Sequence, residues 1–439
     1  MGHSSDRAPE WAARSGASSE RILVVAHRHP DFSLGGGEIA AYNLFRAYRQ
    51  HRDVAEAWFL ASADRGRGAA GGIMLRREGE YLWEQGIHDW AMLKAAHRRS
   101  VAQGFAELVR ALRPTIVHAH HYAHLGLEFL RVVKAIDPNI RICLTLHEYM
   151  AICHRQGQMI KTDGRLCARE SFDDCRGCFP QMSVQDLWRR KHFIQRHFDY
   201  VDQFVSPSRF LRGRYIDWGL DGERIAVIEN GQDDVPRSPP RKVDPGEGRN
   251  RFGFFGQINP FKGLDVLLKA LHELPKEDRK RVVLEVHGAN LEAQAGEFQQ
   301  SIKALADPLI AKGVVQWVGP YQPHEVRKRM ENVDWVVVPS IWWENSPMVI
   351  QEALVCGRPL LVSDIGGMAE KVKHGGNGLH VSCGSPLAWG KALLEAADPQ
   401  RWQDCADSIQ PPLSHSQCAD RHLRIIKADA VARAGALPE

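Results

Sequence analysis

Short apolar runs alternate with amphipathic segments along most of the chain. Consecutive apolar and β-branched residues, as in RILVVAH, TIVHAHH and RICLTLHEY, predict strands that are buried on both faces. The intervening segments IAAYNLFRAYRQ and LGLEFLRVVKAI place apolar residues at helical spacing. The same alternation begins again with RFGFFG, GLDVLLKALHEL and VVLEVHG. Two successive series of strands and helices predict an α/β protein with two doubly wound, Rossmann-like domains that face each other across a cleft.

Changes in composition predict the domain boundaries. The first residues have no apolar core, which indicates a disordered leader and not a signal peptide. A stretch rich in Pro, Gly and charge separates the two series and is typical of an interdomain linker. We predict a leader at 1–20, an N-terminal domain at 21–232 with a cysteine-rich insertion at 150–180, a linker at 233–250, a C-terminal domain at 251–405, and a helical tail at 406–439 that packs back on the N-terminal domain.

Composition limits the function classes. The 439 residues are 44% hydrophobic and 25% charged, as in ordinary soluble globular proteins. A net charge of +4 is too small to indicate nucleic-acid binding, and no apolar run approaches the roughly 20 residues that span a bilayer. Nine cysteines without a secretion signal indicate a cytoplasmic protein with reduced thiols.

A basic, aromatic segment at 184–200, LWRRKHFIQRHF, leaves two interpretations open. Its cations and aromatic residues recur at helical spacing, which is compatible with a helix lying on an anionic membrane, here the inner face of the cell membrane. The alternative is a solvated helix that packs one aromatic stripe against the protein.

The stretch PSIWWENSPMVIQEALVCGRPLLVSD contains two acids eight residues apart, Glu344 and Glu352. It predicts a strand, a helix that begins with Ser346 as N-cap and Pro347 as first residue, and a second strand. Glu344 then lies at the carboxyl end of a strand, where open α/β sheets bind ligands, and Glu352 lies in the second helical turn. The two acids could hold different parts of one polar ligand. The alternative is that both are ordinary helix-associated glutamates.

Three junctions between a loop and a helix offer backbone N–H groups and the positive end of a helix dipole. They are Gly35–Gly37, the segment from Gly256 to Gly263 with Lys262 inside it, and Asn345–Pro347. Two such junctions facing a cleft could hold a diphosphate, and the alternative at each is a plain tight turn. No G-x-G-x-x-G leads from a strand directly into a helix, and G-x-x-x-x-G-K-[ST] does not occur, which disfavours dinucleotide and P-loop sites.

The segment VHAHHYAHLG contains four histidines. On a strand, His118 and His120 share one face, and His121 takes the other. A metal site is disfavoured because no acidic partner lies nearby in the sequence. A structural histidine is the plain interpretation. A histidine at the carboxyl end of the strand that points into the cleft is the functional one.

Four cysteines lie in the insertion with the spacing C-x13-C-x7-C-x2-C. Four thiolates that end in C-x2-C are typical of a structural zinc site. Free thiols are the alternative, because the first spacings are irregular. The candidate ligands are Cys153, Cys167, Cys175 and Cys178.

The C-terminal half resembles the family 4 retaining glycosyltransferases of the GT-B fold. The resemblance rests on FFGQINPFKGLDVLLKAL, VQWVGPY, VPSIWWENSPMVIQEALVCGRPLLVSDIGG and GGNGL, which span most of residues 250–380. Shorter segments of the N-terminal half match as well, namely GGGE, IVHAHH, LTLHEY, FVSPSRF and IENGQD.

The resemblance implies roles for individual residues. Glu344 and Glu352 match the two glutamates of the family's E-x7-E motif, which approach the donor sugar and the ribose. Lys262 matches the lysine on the donor diphosphate, and His120 matches the cleft histidine near the transferred sugar. Catalysis is therefore expected to depend on Glu344, His120 and Lys262.

Further matched positions complete the expected donor site. Gly36 and Gly37 match the glycine-rich loop beside the diphosphate, and Val318 and Gly319 match the turn that lies against the base. Gln257 stands where many members of the family carry arginine, so Arg209 or Arg212 could supply that phosphate contact. Asn345, Ser346 and Pro347 complete the set at the helix N-terminus.

The implied function is a retaining, metal-independent transfer of a hexosyl unit from a nucleotide-diphosphate sugar. The acceptor would be a saccharide or a lipid-linked molecule, as in the synthesis of cell-surface polysaccharide or glycolipid. The sequence contains no Asp-x-Asp, the motif with which metal-using glycosyltransferases often hold a divalent ion, so the donor site is expected to need no metal or other cofactor. Two alternatives are a sugar-nucleotide 2-epimerase of the same fold and a non-catalytic nucleotide-sugar-binding protein.

Overall fold

A computed structural model describes residues 19–33, 35–63, 70–244 and 246–434. The predicted leader therefore lies outside the described residues, apart from its last two positions. No helix in the described ranges is long and apolar enough to cross a membrane.

The N-terminal domain is built on an eight-stranded sheet with the order β10-β9-β8-β7-β1-β2-β4-β3. All neighbours are parallel except β3 and β4. A separate hairpin pairs β5 with β6. The strands are β1 Glu20–Ala26, β2 Val54–Ser62, β3 Ile73–Arg77, β4 Glu80–Trp83, β5 Ile87–Asp89, β6 Lys94–Ala95, β7 Ile116–Ala119, β8 Arg141–Thr145, β9 Gln203–Ser206 and β10 Ile225–Val227.

The C-terminal domain has a six-stranded, fully parallel sheet with the order β13-β12-β11-β14-β15-β16. Its central strands are buried on both faces, as the continuous apolar runs predict. The strands are β11 Arg251–Gln257, β12 Val283–Ala289, β13 Val315–Trp317, β14 Trp335–Val338, β15 Leu360–Ser363 and β16 Gly378–Val381.

Helices cover the faces of both sheets. In the N-terminal domain they are α1 Gly36–Gln50, α2 Arg98–Ser100, α3 Ala106–Leu112, α4 Glu128–Ile136, α5 Phe172–Cys178, α6 Val184–Phe198 and α7 Arg209–Asp217. A π-helical turn, Val101–Phe105, joins α2 to α3. From residue 264 onward they are α8 Leu264–Glu273, α9 Lys276–Arg279, α10 Gly296–Ile310, α11 Val326–Met330, α12 Met348–Val355, α13 Gly366–Lys371, α14 Pro386–Ala396, α15 Pro399–Asp407 and α16 His415–Ala434.

The strand order reverses direction at one point in each sheet. In the N-terminal sheet this point lies between β1 and β7, and in the C-terminal sheet it lies between β11 and β14. Loops at the carboxyl ends of such strands diverge and leave a crevice, which is where open α/β sheets bind ligands. Gly36, His120, Lys262 and Glu344 each follow one of these four strands.

The last helix returns to the first domain. Helix α16 packs against α1, and its Asp420 and Lys427 pair with His51 and Asp53 at 2.8 and 3.0 Å. Helix α15 instead lies on the C-terminal domain, where Trp402 Nε1 donates a hydrogen bond to the carbonyl of Asp334. The chain therefore crosses between the domains again just before α16, in addition to the crossing at residues 233–250.

Candidate active site

The two domains meet at the loop that follows β14. Asn345 Nδ2 donates a hydrogen bond to the carbonyl of His147 at 3.0 Å, and Ser208 Oγ donates to Asn345 Oδ1 at 2.6 Å. Both partners of Asn345 come from the N-terminal domain and follow its strands β8 and β9. One buried side chain thus joins the carboxyl ends of strands from both sheets.

Two helix N-termini approach each other at this junction. Helix α1 begins at Gly36 and helix α12 begins at Met348. A Cβ atom at Gly36 would lie 3.1 Å from Met348 Cγ, and one at Gly37 would lie 3.6 Å from His147 Cγ. Gly36 is therefore close to the opposite domain, while Gly37 lies against His147 of its own domain. The amides of the glycine loop and those of α12 can address one anionic ligand.

The start of α12 differs from the prediction by one residue. Pro347 occupies the N-cap position with an extended backbone, and Met348 is the first helical residue. The side chain of Ser346 therefore does not cap the helix. Its buried Oγ has no hydrogen-bond partner in the described part of the chain. That hydroxyl is available to a ligand at the helix N-terminus.

The third junction requires glycine. Gly263 is the N-cap of α8 with φ of +71°, a left-handed conformation that other residues adopt only under strain. A Cβ atom there would lie 2.0 Å from the carbonyl oxygen of Pro339, at the end of β14. This close approach sets Lys262 beside the β14 loop.

Lys262 and Glu344, which the sequence assigned to the same site, are in direct contact. Lys262 Nζ lies 2.6 Å from Glu344 Oε1, which also accepts hydrogen bonds from Ser340 Oγ at 2.8 Å and Trp342 Nε1 at 2.9 Å. Burial raises the pKa of Glu344, but the Lys262 ammonium and the three hydrogen bonds outweigh it and hold the pKa below its ordinary value. Glu344 is thus a buried, ionised carboxylate.

Glu352 has a different environment. Its carboxylate makes no hydrogen bond or ion pair within the described ranges, and burial raises its pKa to about 7. Burial raises the pKa of Tyr321, and the charge of Glu352 adds to this. Tyr321 packs against the apolar cluster that contains Ile350 and Ala353 of α12. Tyr321 follows the turn at Val318 and Gly319, where Val318 is 46% exposed. Glu352 thus lies on a helix against which the segment after the exposed turn packs.

The other residues that the sequence suggested as phosphate contacts differ in how available their side chains are to a ligand. Gln257 is exposed at the end of β11. Arg212 donates to the carbonyls of Ile225 and Gly222, so its guanidinium is engaged within the N-terminal domain. Arg209 is exposed at the start of α7 and is the more available of the two arginines.

His120 is buried at 3% exposure, and its Nδ1 lies 3.0 Å from His147 Nε2. As the strand pattern predicts, its ring lies beside that of His118, at 4.4 Å between centroids. His120 Nε2 has no partner in the described part of the chain, and neither has His422 Nε2 from α16. Both residues line one small cavity between α1 and α16. Burial lowers the pKa of His120 well below its usual value, so its ring is neutral.

The structure adds residues that the sequence did not single out. Glu38, in the first turn of α1, accepts a hydrogen bond from Ser33 Oγ at 2.7 Å and lies 3.2 Å from His27 Nε2. Burial raises the pKa of Glu38, but the bonds and charge from His27 and the bond from Ser33 lower it to about 2. Glu38 belongs to the quoted GGGE segment, but its pairing with His27 depends on the return of α1 against β1.

The four cysteines of the insertion line one cavity, and all four are free thiols. Burial raises the pKa of Cys175 to about 12, and Glu170, Cys153 and Cys167 add to this. No three His, Cys, Asp or Glu side chains in the described ranges are arranged to hold a metal ion. The cavity adjoins the candidate active site, because Trp343 Nε1 donates to the carbonyl of Cys167 at 2.9 Å.

Two cations of helix α6, the basic aromatic segment, bond to other residues of the protein. Arg190 is buried and donates to the carbonyls of Met150 and Ala151, and Lys191 pairs with Glu170 at 2.8 Å. Leu187, Ile194 and Phe198 are buried against the domain core. The helix therefore presents fewer cations to solvent than its sequence suggests.

The chain is similar to known proteins in family, in sequence and in structure. Residues 238–406 match the family described as glycosyl transferases group 1, and residues 34–235 match glycosyltransferase family 4. A D-inositol 3-phosphate glycosyltransferase of Frankia alni is 30% identical over 220 residues, 47% of this chain and 50% of that protein. Its counterpart in Corynebacterium aurimucosum is 34% identical over 206 residues, 44% of this chain and 48% of the relative. The chain thus spans about half the length of these curated relatives.

Solved structures of similar fold extend over nearly the whole chain. Anabaena HepE in complex with UDP and glucose aligns with a TM-score of 0.59 at 17% identity and covers 95% of this chain and 100% of its own. Sucrose-phosphate synthase of Thermosynechococcus elongatus aligns with a TM-score of 0.66 at 14% identity and covers 94% and 100%. At these identities the likeness shows the fold alone. It confirms the predicted arrangement of two Rossmann-like domains.

Proposed function

This chain belongs to the group 1, family 4 glycosyltransferases, and we propose that it moves a hexosyl unit from a nucleotide-diphosphate sugar to an acceptor hydroxyl with retention of configuration. The observation that carries the proposal is the ion pair of Lys262 and Glu344 between two helix N-termini. This arrangement offers positive charge for a diphosphate and a buried carboxylate for sugar hydroxyls within one crevice.

The donor is proposed to lie along α12. Its diphosphate would accept hydrogen bonds from the amides at Gly36, Gly37 and Ser346 and from the Lys262 ammonium. Glu352 would accept hydrogen bonds from the ribose, which its unpartnered carboxylate supports. The base would lie on the Val318–Gly319 turn, where Val318 is exposed. HepE has been crystallised with UDP and with UDP-glucose, which supports a nucleotide-sugar donor here.

The reaction breaks the bond between the anomeric carbon and the diphosphate oxygen and forms a bond from that carbon to the acceptor oxygen. Negative charge grows on the leaving diphosphate, and Lys262 with the helix N-termini stabilises it. The acceptor hydroxyl attacks from the face of the leaving group, and its proton passes to a phosphate oxygen. A nucleoside diphosphate and a glycoside with retained configuration are released.

His120 and Glu344 are proposed to act near the transferred sugar. Glu344 would hold sugar hydroxyls while Lys262 turns toward the diphosphate. His120, neutral because of burial, would position the sugar through its unpartnered Nε2 after a small reorientation. The acceptor is proposed to be a saccharide or a lipid-linked saccharide, with the reaction belonging to polysaccharide or glycolipid synthesis in the cytoplasm.

Three further points concern metal and membrane. Transfer is proposed to be metal-independent, because Lys262 and the helix N-termini supply the charge that a divalent ion would otherwise provide. A structural Zn²⁺ is proposed for Cys153, Cys167, Cys175 and Cys178, because all four thiols line one cavity. No three such side chains in the described ranges are arranged to hold an ion, so the metal would have to draw the thiols together on binding. Peripheral membrane contact through α6 stays a prediction. Arg190 and Lys191 bond to other residues of the protein, which leaves fewer cations on α6 for an anionic membrane.

Binding and turnover assays test the proposal. Thermal unfolding should be measured with a panel of nucleoside diphosphates and their sugars, since a ligand that binds only the folded state raises the midpoint. The best donor should then be incubated with saccharide acceptors and the products separated. A glycoside with retained configuration supports transfer. An epimerised nucleotide sugar, or binding without turnover, would overturn the proposal.

A further inference from the structure

A half-exposed tryptophan lies in the β5–β6 hairpin of the N-terminal domain. Trp90 follows β5 in the β5–β6 hairpin and is 44% exposed. Its indole meets the imidazole of His124 edge-on, with ring centroids 5.3 Å apart and planes at 85°. A large aromatic ring held at the surface by one neighbouring ring is suited to stacking against a ligand.

A series of side chains connects Trp90 with the candidate donor site. His124 has a left-handed backbone with φ of 63°, and its ring lies nearly parallel to that of His27, at 13° and 6.1 Å. His27 in turn lies 3.2 Å from Glu38, which follows Gly37 at the start of α1. The strained backbone at His124 marks a position where the fold holds a side chain in an unfavoured conformation. The series leads from the helix N-terminus proposed for the diphosphate to the exposed indole.

Hydrogen bonds hold the hairpin that carries Trp90 against the rest of the domain, and charged side chains border the indole ring. Leu127 donates its backbone N–H to the carbonyl of Leu93, and Ala95 donates its own to Glu128 Oε2. Beside Trp90, Asp89 and Lys94 form an ion pair at 3.5 Å. An acyl chain requires a continuous apolar surface, which this rim interrupts. A sugar ring, with an apolar C–H face and a rim of hydroxyls, matches an aromatic ring bordered by hydrogen-bonding groups.

We propose that Trp90 and His124 form the platform on which the saccharide of the acceptor stacks, with His27 and Glu38 receiving the hydroxyls on the side nearest the donor. This inference rests on the proposed glycosyl transfer and identifies its acceptor class as a saccharide. Trp90 is then a determinant of acceptor specificity and has no part in donor binding.

The test compares Trp90→Ala and Trp90→Phe with a control, Trp188→Ala. Trp188 is 50% exposed on α6 and stacks on His192, so it matches Trp90 in size and exposure. With a panel of neutral mono- and disaccharides as acceptors, Trp90→Ala should raise the acceptor KM by about tenfold, and Trp90→Phe should retain most of the wild-type value. Nucleoside diphosphate affinity and the slow hydrolysis of the donor by water should not change in any of the three variants.

A direct measurement of saccharide binding tests the role of Trp90 independently of the proposed glycosyl transfer. Saturation-transfer NMR of the same saccharides with the full-length protein reports contact without turnover, and the signal should weaken in Trp90→Ala alone. An unchanged acceptor KM and an unchanged NMR signal in Trp90→Ala would overturn the platform while leaving glycosyl transfer intact. Absence of any donor turnover would overturn the proposed function, and the NMR comparison would still decide whether Trp90 binds saccharide. Use of a lipid-linked acceptor in vesicles with no competition by free saccharides would also overturn the platform.

Discussion

Lys262 and Glu344 are 82 residues apart in the sequence, yet their charged atoms lie 2.6 Å apart in the structure. They come from the loops that follow β11 and β14, the two strands at which the C-terminal sheet changes direction. The pair keeps a buried carboxylate ionised and holds an ammonium at the crevice. A donor diphosphate would compete with Glu344 for this ammonium, which leaves the carboxylate available to the sugar.

Removal of Lys262 tests the diphosphate contact. Lys262→Ala should lose a charge-assisted bond worth about 2–3 kcal/mol, so transfer should slow by about 30- to 150-fold. Steady-state kinetics with circular dichroism as a folding check provide the measurement. Lys269→Ala is the control, because Lys269 pairs with Asp265 on the exposed face of α8. Wild-type kinetics in a folded Lys262→Ala variant would remove Lys262 from the site.

Substitution of Glu352 and of Glu344 should impair different steps of the reaction. Glu352→Ala should weaken the binding of nucleoside diphosphate and of donor alike, because both ligands carry the ribose. Glu344→Ala should retain or strengthen diphosphate binding, because Lys262 no longer has a competing partner, and should slow transfer, because only the donor carries the sugar. Calorimetric titration with diphosphate, together with steady-state rates, separates the two effects. Equal loss of diphosphate affinity in both variants would contradict this division.

The pKa of Glu352 predicts a pH dependence of nucleotide binding. Burial raises this pKa to about 7, so the carboxyl is neutral below that pH in the free protein. If the ribose hydroxyls donate to the carboxylate, diphosphate affinity is greatest above pH 7 and falls up to about tenfold per pH unit below it. Calorimetry between about pH 5.5 and 8.5 measures the slope.

The control for this pH dependence is another acid with a similar pKa. Burial also raises the pKa of Glu148 to about 7, but its carboxylate lies in the N-terminal domain beside Tyr122. Glu148→Gln should therefore keep the wild-type slope, and Glu352→Gln should bind more weakly and keep only the shallower slope that the ionisation of the diphosphate itself contributes. A full wild-type slope in Glu352→Gln would assign the titration to another group.

Metal analysis tests two expectations at once. Donor turnover should persist in EDTA, because Lys262 and the helix N-termini take the place of a divalent ion.

Elemental analysis should find about one zinc per chain, and Cys175→Ser should lose it while Cys383→Ser, outside the insertion, should not. Freshly purified, reduced protein without zinc would favour free thiols.

Much of the fold follows from local pattern in the sequence. Runs such as Trp335–Val338 are typical of strands buried on both faces of a parallel sheet, and the helices between them follow from the periodicity of apolar residues. The order of these elements places Gly36, Lys262 and Glu344 at the carboxyl ends of strands. The eight-residue interval fixes Glu344 and Glu352 on one strand–helix unit, since both positions depend only on neighbouring residues.

Tertiary structure decided which of these residues meet and which way they face. The pairing of Lys262 with Glu344 depends on β11 and β14 being neighbours, and the bond between Asn345 and Ser208 depends on the approach of two domains. The burial of His120 beside a cavity reflects the return of α16, which nothing in the local sequence of β7 encodes. Sequence pattern specifies elements through local energetics. Contacts between distant segments depend on the packing of the whole chain.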